Sequence, residues 1–326
     1  MPKAIVIREY GGSDVLKVED VSVESPGPNE ILIRQTAIGV HFHDIYVRSG
    51  LYKTLSLPGI PGLEAAGIVE EVGPGKSMFK KGDRIGYVTS GYGAYASHRI
   101  LSEKLAVKIP DNISDSLVAT NFSRLLTVEM LTSKVTSLHS GQTILVTAAS
   151  GGVGRLLCQR AHAMGVQLIG VVSTDEKAKM ARGYGCHHTL IYQDSNFVDK
   201  VLDITGGRGV DIVFDSVGAK TFQNSLAVLK LRGHLVNFGQ SSGPVEPLAM
   251  SKLAEKSLTI TRPILFHYLN DGDAYTVMAA AAFNAFSQDA FVLTELQGIG
   301  LENASTAHDK LASGQGGGSL YLTPII

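Results

Sequence analysis

The sequence predicts an α/β protein in which a doubly wound parallel sheet is joined to a second, mainly β domain. Three observations carry this. The first 120 residues show short β-rich stretches divided by turns; beyond about residue 120, apolar strands alternate with amphipathic helices. Between strand and helix, TAASGGVGRLLC (147–158) breaks into a glycine loop. A length of 326 residues fits about two domains.

In order, AIVIREY, EILIRQTAIGV and AAGIVEEVG alternate or run apolar as strands do, and SPGPNE and KKGDRIGY punctuate them. QTILVTA leads into a helix from Gly152, and VQLIGVVS into DEKAKMARGYG. HTLIY leads into NFVDKVLDITGG, and VDIVFDSVG into a helix over AKTFQNSLAVLKLRG. HLVNFG and SLTITRP close the series. Strand–helix–strand repeats of this kind imply right-handed crossovers and a parallel sheet covered on both faces. Ligands on such sheets sit at the carboxyl ends of the strands. After a helical YTVMAAAAFNAF, the glycine-rich SGQGGGS forms a loop, and a last strand, SLYLTPI, returns to the first domain. The expected boundaries are 1–122 with 267–326 for the mainly β domain and 123–266 for the parallel-sheet domain.

A net charge of −1 gives no reason to expect nucleic acid or an anionic membrane as partner. No apolar run reaches membrane-spanning length, and MPKAIVIREYGG lacks the apolar core of a signal peptide. Two cysteines make neither a disulfide framework nor a four-cysteine metal site. A reducing cytoplasm is the simplest setting. Cys158 is expected in the core and Cys186 in a loop. Asp215 ends a strand and is expected to fix a loop. His187 and His188 are adjacent and point apart, so they form no metal pair.

The glycine loop, spaced Ala148-x-x-Gly151-x-x-Gly154, is a variant of the dinucleotide-binding fingerprint. It follows a strand and opens a helix with Val153, Leu156, Leu157, Ala161 and Met164 on roughly one face, the context that gives such a motif its meaning. Glycines let the backbone approach a pyrophosphate, and the helix start supplies N–H donors. The alternative is a tight turn without ligand. A site for NAD carries an acidic residue about 20 residues on. Here the second strand ends in Ser173 and Thr174, with Lys177 following. Hydroxyls and a cation suit a 2′-phosphate, which favours NADPH. The competing reading is a Ser173-x-x-Glu176 capping box with a surface lysine.

Taken together, GVHFHDIYVRSGLY, PGLEAAGIVEEVG, KKGDRIGY, AASGGVG, VDIVFDSVG, LVNFGQSSG and ITRP resemble the zinc-free, ζ-crystallin-like quinone oxidoreductases of the medium-chain dehydrogenase/reductase superfamily. The resemblance runs nearly end to end. It implies a GroES-like catalytic domain, a Rossmann domain, an active cleft between them, NADPH as cofactor and a homodimer formed through the last Rossmann strand, within SLTITRPILF. It places Ser150, Gly151, Gly152, Val153 and Gly154 at the pyrophosphate, and Ser173, Lys177 and Tyr192 at the 2′-phosphate. Phe238, Ser241 and Thr127 fall beside the nicotinamide, and His41, Tyr46 and Tyr52 in the substrate cleft. Two positions depart from the family. His41 replaces a common asparagine, and Gly314 a common cofactor-binding arginine, whose contact the backbone of GQGGGS would have to replace.

Zinc-dependent relatives carry their ligands near His41 and in the segment PGLE, where Leu63 stands in place of a histidine. A catalytic zinc needs three protein ligands, so no metal is expected. Without a Lewis acid, oxidation of simple alcohols is disfavoured, whereas an electron-poor quinone accepts hydride readily. Its developing oxyanion needs donors and a proton, which Tyr46, Tyr52 and His41 can supply; packing of the cleft wall is the alternative role for each. The expected activity is NADPH-dependent quinone reduction. An enone or enoyl reductase on the same scaffold, or a non-catalytic NADPH-binding scaffold, are the alternatives.

Overall fold

A computed structural model describes residues 1–193, 196–270, 273–288, 290–294, 296–314 and 319–324. The chain forms two compact units, Met1–Arg124 with Thr276–Ile326, and Leu125–Tyr275.

The first unit opens with β1 (Lys3–Val6), β2 (Lys17–Asp20), β3 (Glu30–Gly39) and α1 (Phe42–Arg48). β4 (Glu64–Val72), β5 (Arg84–Val88), β6 (His98–Ser102), β7 (Val107–Lys108) and α2 (Asp115–Glu129) follow. Along β3 burial alternates strictly through Ile31, Ile33, Gln35 and Ala37, the period of a strand with one face in a core. β3 pairs antiparallel with β4 and, over Glu30–Arg34, with β6. Gly39 ends it because the backbones close up there. A Cβ at Gly39 would lie 2.0 Å from the carbonyl oxygen of Ala119 on α2. Residues 1–120 read as strands and turns, but the structure adds α1 and the start of α2. α1 was concealed in the aromatic run FHDIYVR, seven residues with too little periodicity to register.

In the second unit, strands β8 (Thr143–Thr147), β9 (Gln167–Val172) and β10 (His188–Ile191) alternate with α3 (Gly152–Ala163) and α4 (Asp175–Gly183). α5 (Phe197–Ile204), β11 (Val210–Asp215), α6 (Phe222–Ala227) and β12 (Leu229–Asn237) continue the pattern. α7 (Met250–Ala254), β13 (Thr259–Thr261) and α8 (Leu265–Leu269) complete it. The sheet order is β10-β9-β8-β11-β12-β13, all parallel. The chain leaves β8 in one direction and returns to β11 on its other side, so the switch in winding lies between these strands. Only one expected helix is markedly shortened. α6 stops at Ala227 and Leu229–Gly233 joins β12, because Val228 and Leu229 are buried and Leu229 pairs with Val210 of β11.

After α9 (Ala274–Ser287), the chain adds β14 (Gln297–Gly300), α10 (Ala304–Ala312) and β15 (Leu320–Thr323). β15 pairs antiparallel with the end of β3 and carries β14 beside it, so the tail returns to the first sheet. Among the described residues, no helix is long and apolar enough to cross a membrane.

Candidate active site

In the second unit, the candidate cofactor residues other than Thr127 follow the carboxyl ends of the parallel strands β8, β9, β10 and β12. The loop after β8 starts with Ala148 at φ +49, a left-handed conformation usually left to glycine. The Gly151 N–H donates to the Ala148 carbonyl at 2.8 Å, closing the turn. α3 begins at Gly152, and its N-cap, Gly151, has no side chain with which to cap the helix start. The N–H groups of Gly152, Val153 and Gly154 therefore occupy the first turn, where a helix has no internal acceptors. A Cβ at Gly154 would lie 2.2 Å from the Ala148 oxygen, so only glycine lets α3 approach β8 this closely. A bare helix start beneath a glycine turn fits a pyrophosphate. Ser150 is half-buried in the same turn.

After β9, Lys177 Nζ donates to Ser173 Oγ at 3.4 Å, bringing the two candidate 2′-phosphate residues together. The structure corrects the cap. Thr174, not Ser173, caps α4, its Oγ1 accepting the Lys177 N–H at 3.3 Å. Residue 174 is the first with extended dihedrals ahead of the helix, and Ser173 is left for another partner. The Tyr192 N–H donates to the Val172 carbonyl at 3.1 Å, so Tyr192 emerges beside Ser173. After β12, the Phe238 N–H donates to the Asp215 carbonyl and the Ser241 N–H to that of Ser216, at 2.8 and 3.2 Å. Thr127 is half-buried on α2. Gly314 ends α10 at φ +75, and residues 315–318 of the adjacent glycine-rich loop lie outside the described residues.

Asp215 is buried and fixes the loop after β11. Its carboxylate accepts from Thr147 Oγ1, the Val217 and Gly218 N–H groups, Thr221 Oγ1 and Ser225 Oγ, at 2.8–3.2 Å. Cys158 and Cys186 are buried with their sulfurs 3.5 Å apart, and the Cys186 contact and burial hold the Cys158 thiol well above its ordinary range. That chemistry suits packing rather than nucleophilic attack.

In the first unit, His41, Tyr46 and Tyr52 sit on and around α1. His41 is its N-cap, and the His41 N–H donates to Asp44 Oδ2 at 2.8 Å. His41 Nε2 lies 2.6 Å from Glu64 Oε2. Glu64 is fully buried and also accepts from the Ser123 N–H at 2.8 Å and from Ser123 Oγ. A Cβ at Gly39 would lie 2.6 Å from His41 Nε2, so that glycine makes room for the imidazole. The Tyr46 and Tyr52 rings meet edge-to-face at 5.1 Å, and the Tyr52 N–H donates to the Tyr46 carbonyl at 2.9 Å. Burial pushes the Asp44 carboxyl up to about 6, against the opposing pull of His41, and pushes His43 down to about 4. Sequence reasoning left out three partners here: Glu64 for His41, Asp44 as the reciprocal cap, and His43 beside Tyr52. The D/E three residues after an N-cap was a readable signal for Asp44. Nothing local announces a contact between residues 41 and 64. Among the described residues, no three His, Cys, Asp or Glu side chains converge as a metal site.

A doubly wound sheet with a glycine loop at its switch point is a dinucleotide-binding architecture, and the same chain carries a second unit whose sheet is mainly antiparallel. Residues 152–282 match the zinc-binding dehydrogenase family model, and residues 27–111 the alcohol dehydrogenase GroES-like domain. The chain is 41% identical to a quinone oxidoreductase of Pseudomonas aeruginosa over 325 residues, 99% of this chain and all of the relative. It is 37% identical to a 2-haloacrylate reductase of Burkholderia over 99% of both chains. The crystal structure of Escherichia coli quinone oxidoreductase complexed with NADPH superposes with a TM-score of 0.94 at 38% identity, covering 99% of this chain and 100% of that one. The chain belongs to the quinone oxidoreductase family of the medium-chain dehydrogenases/reductases.

Proposed function

We propose that the protein is an NADPH-dependent quinone reductase that works without metal. The observation that carries this is the uncapped start of α3 beside the paired Ser173 and Lys177, within a chain 41% identical to a quinone oxidoreductase. Bound NADPH supplies a hydride. The N–H groups of Gly152, Val153 and Gly154, with Ser150 in the turn, hold the pyrophosphate. Ser173 and Lys177 bind the 2′-phosphate and Tyr192 covers it. Phe238, Ser241 and Thr127 place the nicotinamide.

On the acceptor side, Tyr46 and Tyr52 donate hydrogen bonds to the oxygen that gains charge as hydride arrives. His41, held by Glu64, completes that wall. Zinc has no place in this scheme. The resemblance sets Leu63 where zinc-dependent relatives carry a histidine, and the Glu64 carboxylate lies against His41 and accepts from Ser123. A quinone needs no Lewis acid to accept hydride.

The second reading is reduction of a conjugated carbon–carbon double bond, favoured by the 37% identity to a 2-haloacrylate reductase. The deciding experiment follows NADPH and NADH absorbance with purified protein, a panel of quinones and a panel of enones and haloacrylates. Rapid NADPH loss with quinones is the expected result. Turnover confined to the conjugated acids and enones moves the protein to the second reading, and no turnover with any acceptor overturns both. The protein is further proposed to be cytoplasmic and a homodimer joined through β13, the outer strand of its sheet. Light scattering coupled to size exclusion should give twice the 34.6 kDa of one chain.

A further inference from the structure

Behind Tyr52 lies a second layer of side chains. The His43 ring meets Tyr52 edge-on at 5.5 Å and stacks on Tyr92 at 5.9 Å. His43 Nε2 is 3.1 Å from the Tyr92 hydroxyl, which in turn bonds Thr54 Oγ1. Burial pushes His43 down to about 4, so near pH 7 the ring is neutral and can accept the Tyr92 O–H at Nε2. The stack is thus an uncharged chain, Thr54–Tyr92–His43–Tyr52, ending on the Tyr52–Tyr46 pair.

Tyr92 is held there against its own backbone preference. It is buried at φ +56, a left-handed conformation uncommon for an aromatic residue, and stands between two glycines. Such strain persists only where the surroundings over-determine it, and it concentrates at functional sites. The surroundings here do so. The Tyr92 carbonyl accepts from Arg99 Nη1 at 2.8 Å, and the Gly93 N–H donates to the Ile60 carbonyl at 2.9 Å. Gln35 Nε2 donates to the carbonyls of Ala94 and Ala96. β3 and the 60–62 segment therefore clamp the loop that carries Tyr92.

We propose that His43 and Tyr92 are positioning residues that set the Tyr52 ring against the quinone. This rests on the reading of Tyr52 as an acceptor-wall residue. An edge-to-face ring contact is worth about 0.5–1.5 kcal/mol beyond burial, roughly two- to tenfold in an equilibrium constant.

The test is steady-state kinetics with NADPH and a 1,4-naphthoquinone. His43→Ala should raise KM for the quinone by roughly two- to tenfold and leave KM for NADPH unchanged. His43→Phe, which keeps a ring against both tyrosines, should bring the quinone KM most of the way back. In the Tyr52→Ala background, His43→Ala should add no further loss. If the wild type is active and His43→Ala keeps the wild-type quinone KM, or if the two alanine substitutions add, this proposal falls alone. A wild type inactive with quinones overturns the parent reading and this one with it. Should His43→Ala not fold, Tyr92→Phe removes one hydroxyl from the chain and carries the same test, with a smaller rise expected in quinone KM and an unchanged one refuting the proposal.

Discussion

At the scale of single residues, the proposed function rests its cofactor preference on one cation. Lys177 is half-buried and its Nζ donates to Ser173 Oγ; under the proposed function its ammonium pairs with the 2′-phosphate. A hydrogen bond to a charged group is worth about 1.5–3 kcal/mol, so Lys177→Ala should raise KM for NADPH roughly tenfold or more. KM for NADH, which lacks that phosphate, should move little. Equal effects on both cofactors would remove the assignment. The residue types at 173 and 177 were legible in the sequence because they follow a strand end at a fixed distance from the loop. The exact cap was not. Which of Ser173 and Thr174 turns its oxygen to the helix depends on backbone dihedrals that two adjacent hydroxyl residues do not reveal.

At the scale of elements, the join between β8 and α3 is the most constrained feature. Gly154 brings the helix so close that a Cβ would overlap the Ala148 backbone, which has no side-chain end that can swing away. Gly154→Ala should therefore destabilise the second unit by about 1–3 kcal/mol and also weaken NADPH binding, because α3 must back away from the loop. Urea unfolding and the rise in NADPH fluorescence on binding measure the two effects. Loss of neither would mean that the close approach is unimportant. The parallel strands and their helices were legible because buried strands run apolar and helices keep a 3.6-residue period. The end of α6 was not, because Leu229 pairs with Val210, a partner from a distant stretch of chain. α1 was missed for the reason that its seven residues are held by Asp44 and by packing rather than by their own pattern.

At the scale of the whole molecule, buried titratable groups set how stability depends on pH. His308 on α10 is fully buried, accepts or donates with Tyr95 at 3.0 Å, and is pushed by burial to about 3. His43 is pushed to about 4. Both histidines have folded values below the unfolded one of 6.5, so their contribution is complete above that pH and is lost as pH falls toward 4 and 3. Asp44 has the opposite sign. Its value rises from 3.8 to about 6, so its contribution is present below 3.8 and is lost as pH rises through 6. Two histidines outweigh one carboxyl. At 1.36 kcal/mol per unit, acidification from neutrality to about pH 4.5 should cost on the order of 3 kcal/mol from these groups. Urea midpoints at the two pH values measure it. His308→Gln, which keeps a partner for Tyr95, should remove most of that loss, and an unchanged pH dependence would show that His308 does not drive it.

The sequence by itself determined the two-part architecture, the parallel sheet, the glycine loop and the class of cofactor. Each of these is written in local terms, as hydrophobic period, turn chemistry and motif spacing over a few dozen residues. Only the tertiary structure decided that Glu64 lies against His41, that His308 meets Tyr95, and that Tyr92 stacks on His43. These pairs join residues 23, 213 and 49 positions apart. Their contacts form only when sheet pairing brings distant strands and loops together, and burial then moves their protonation in ways no residue carries alone.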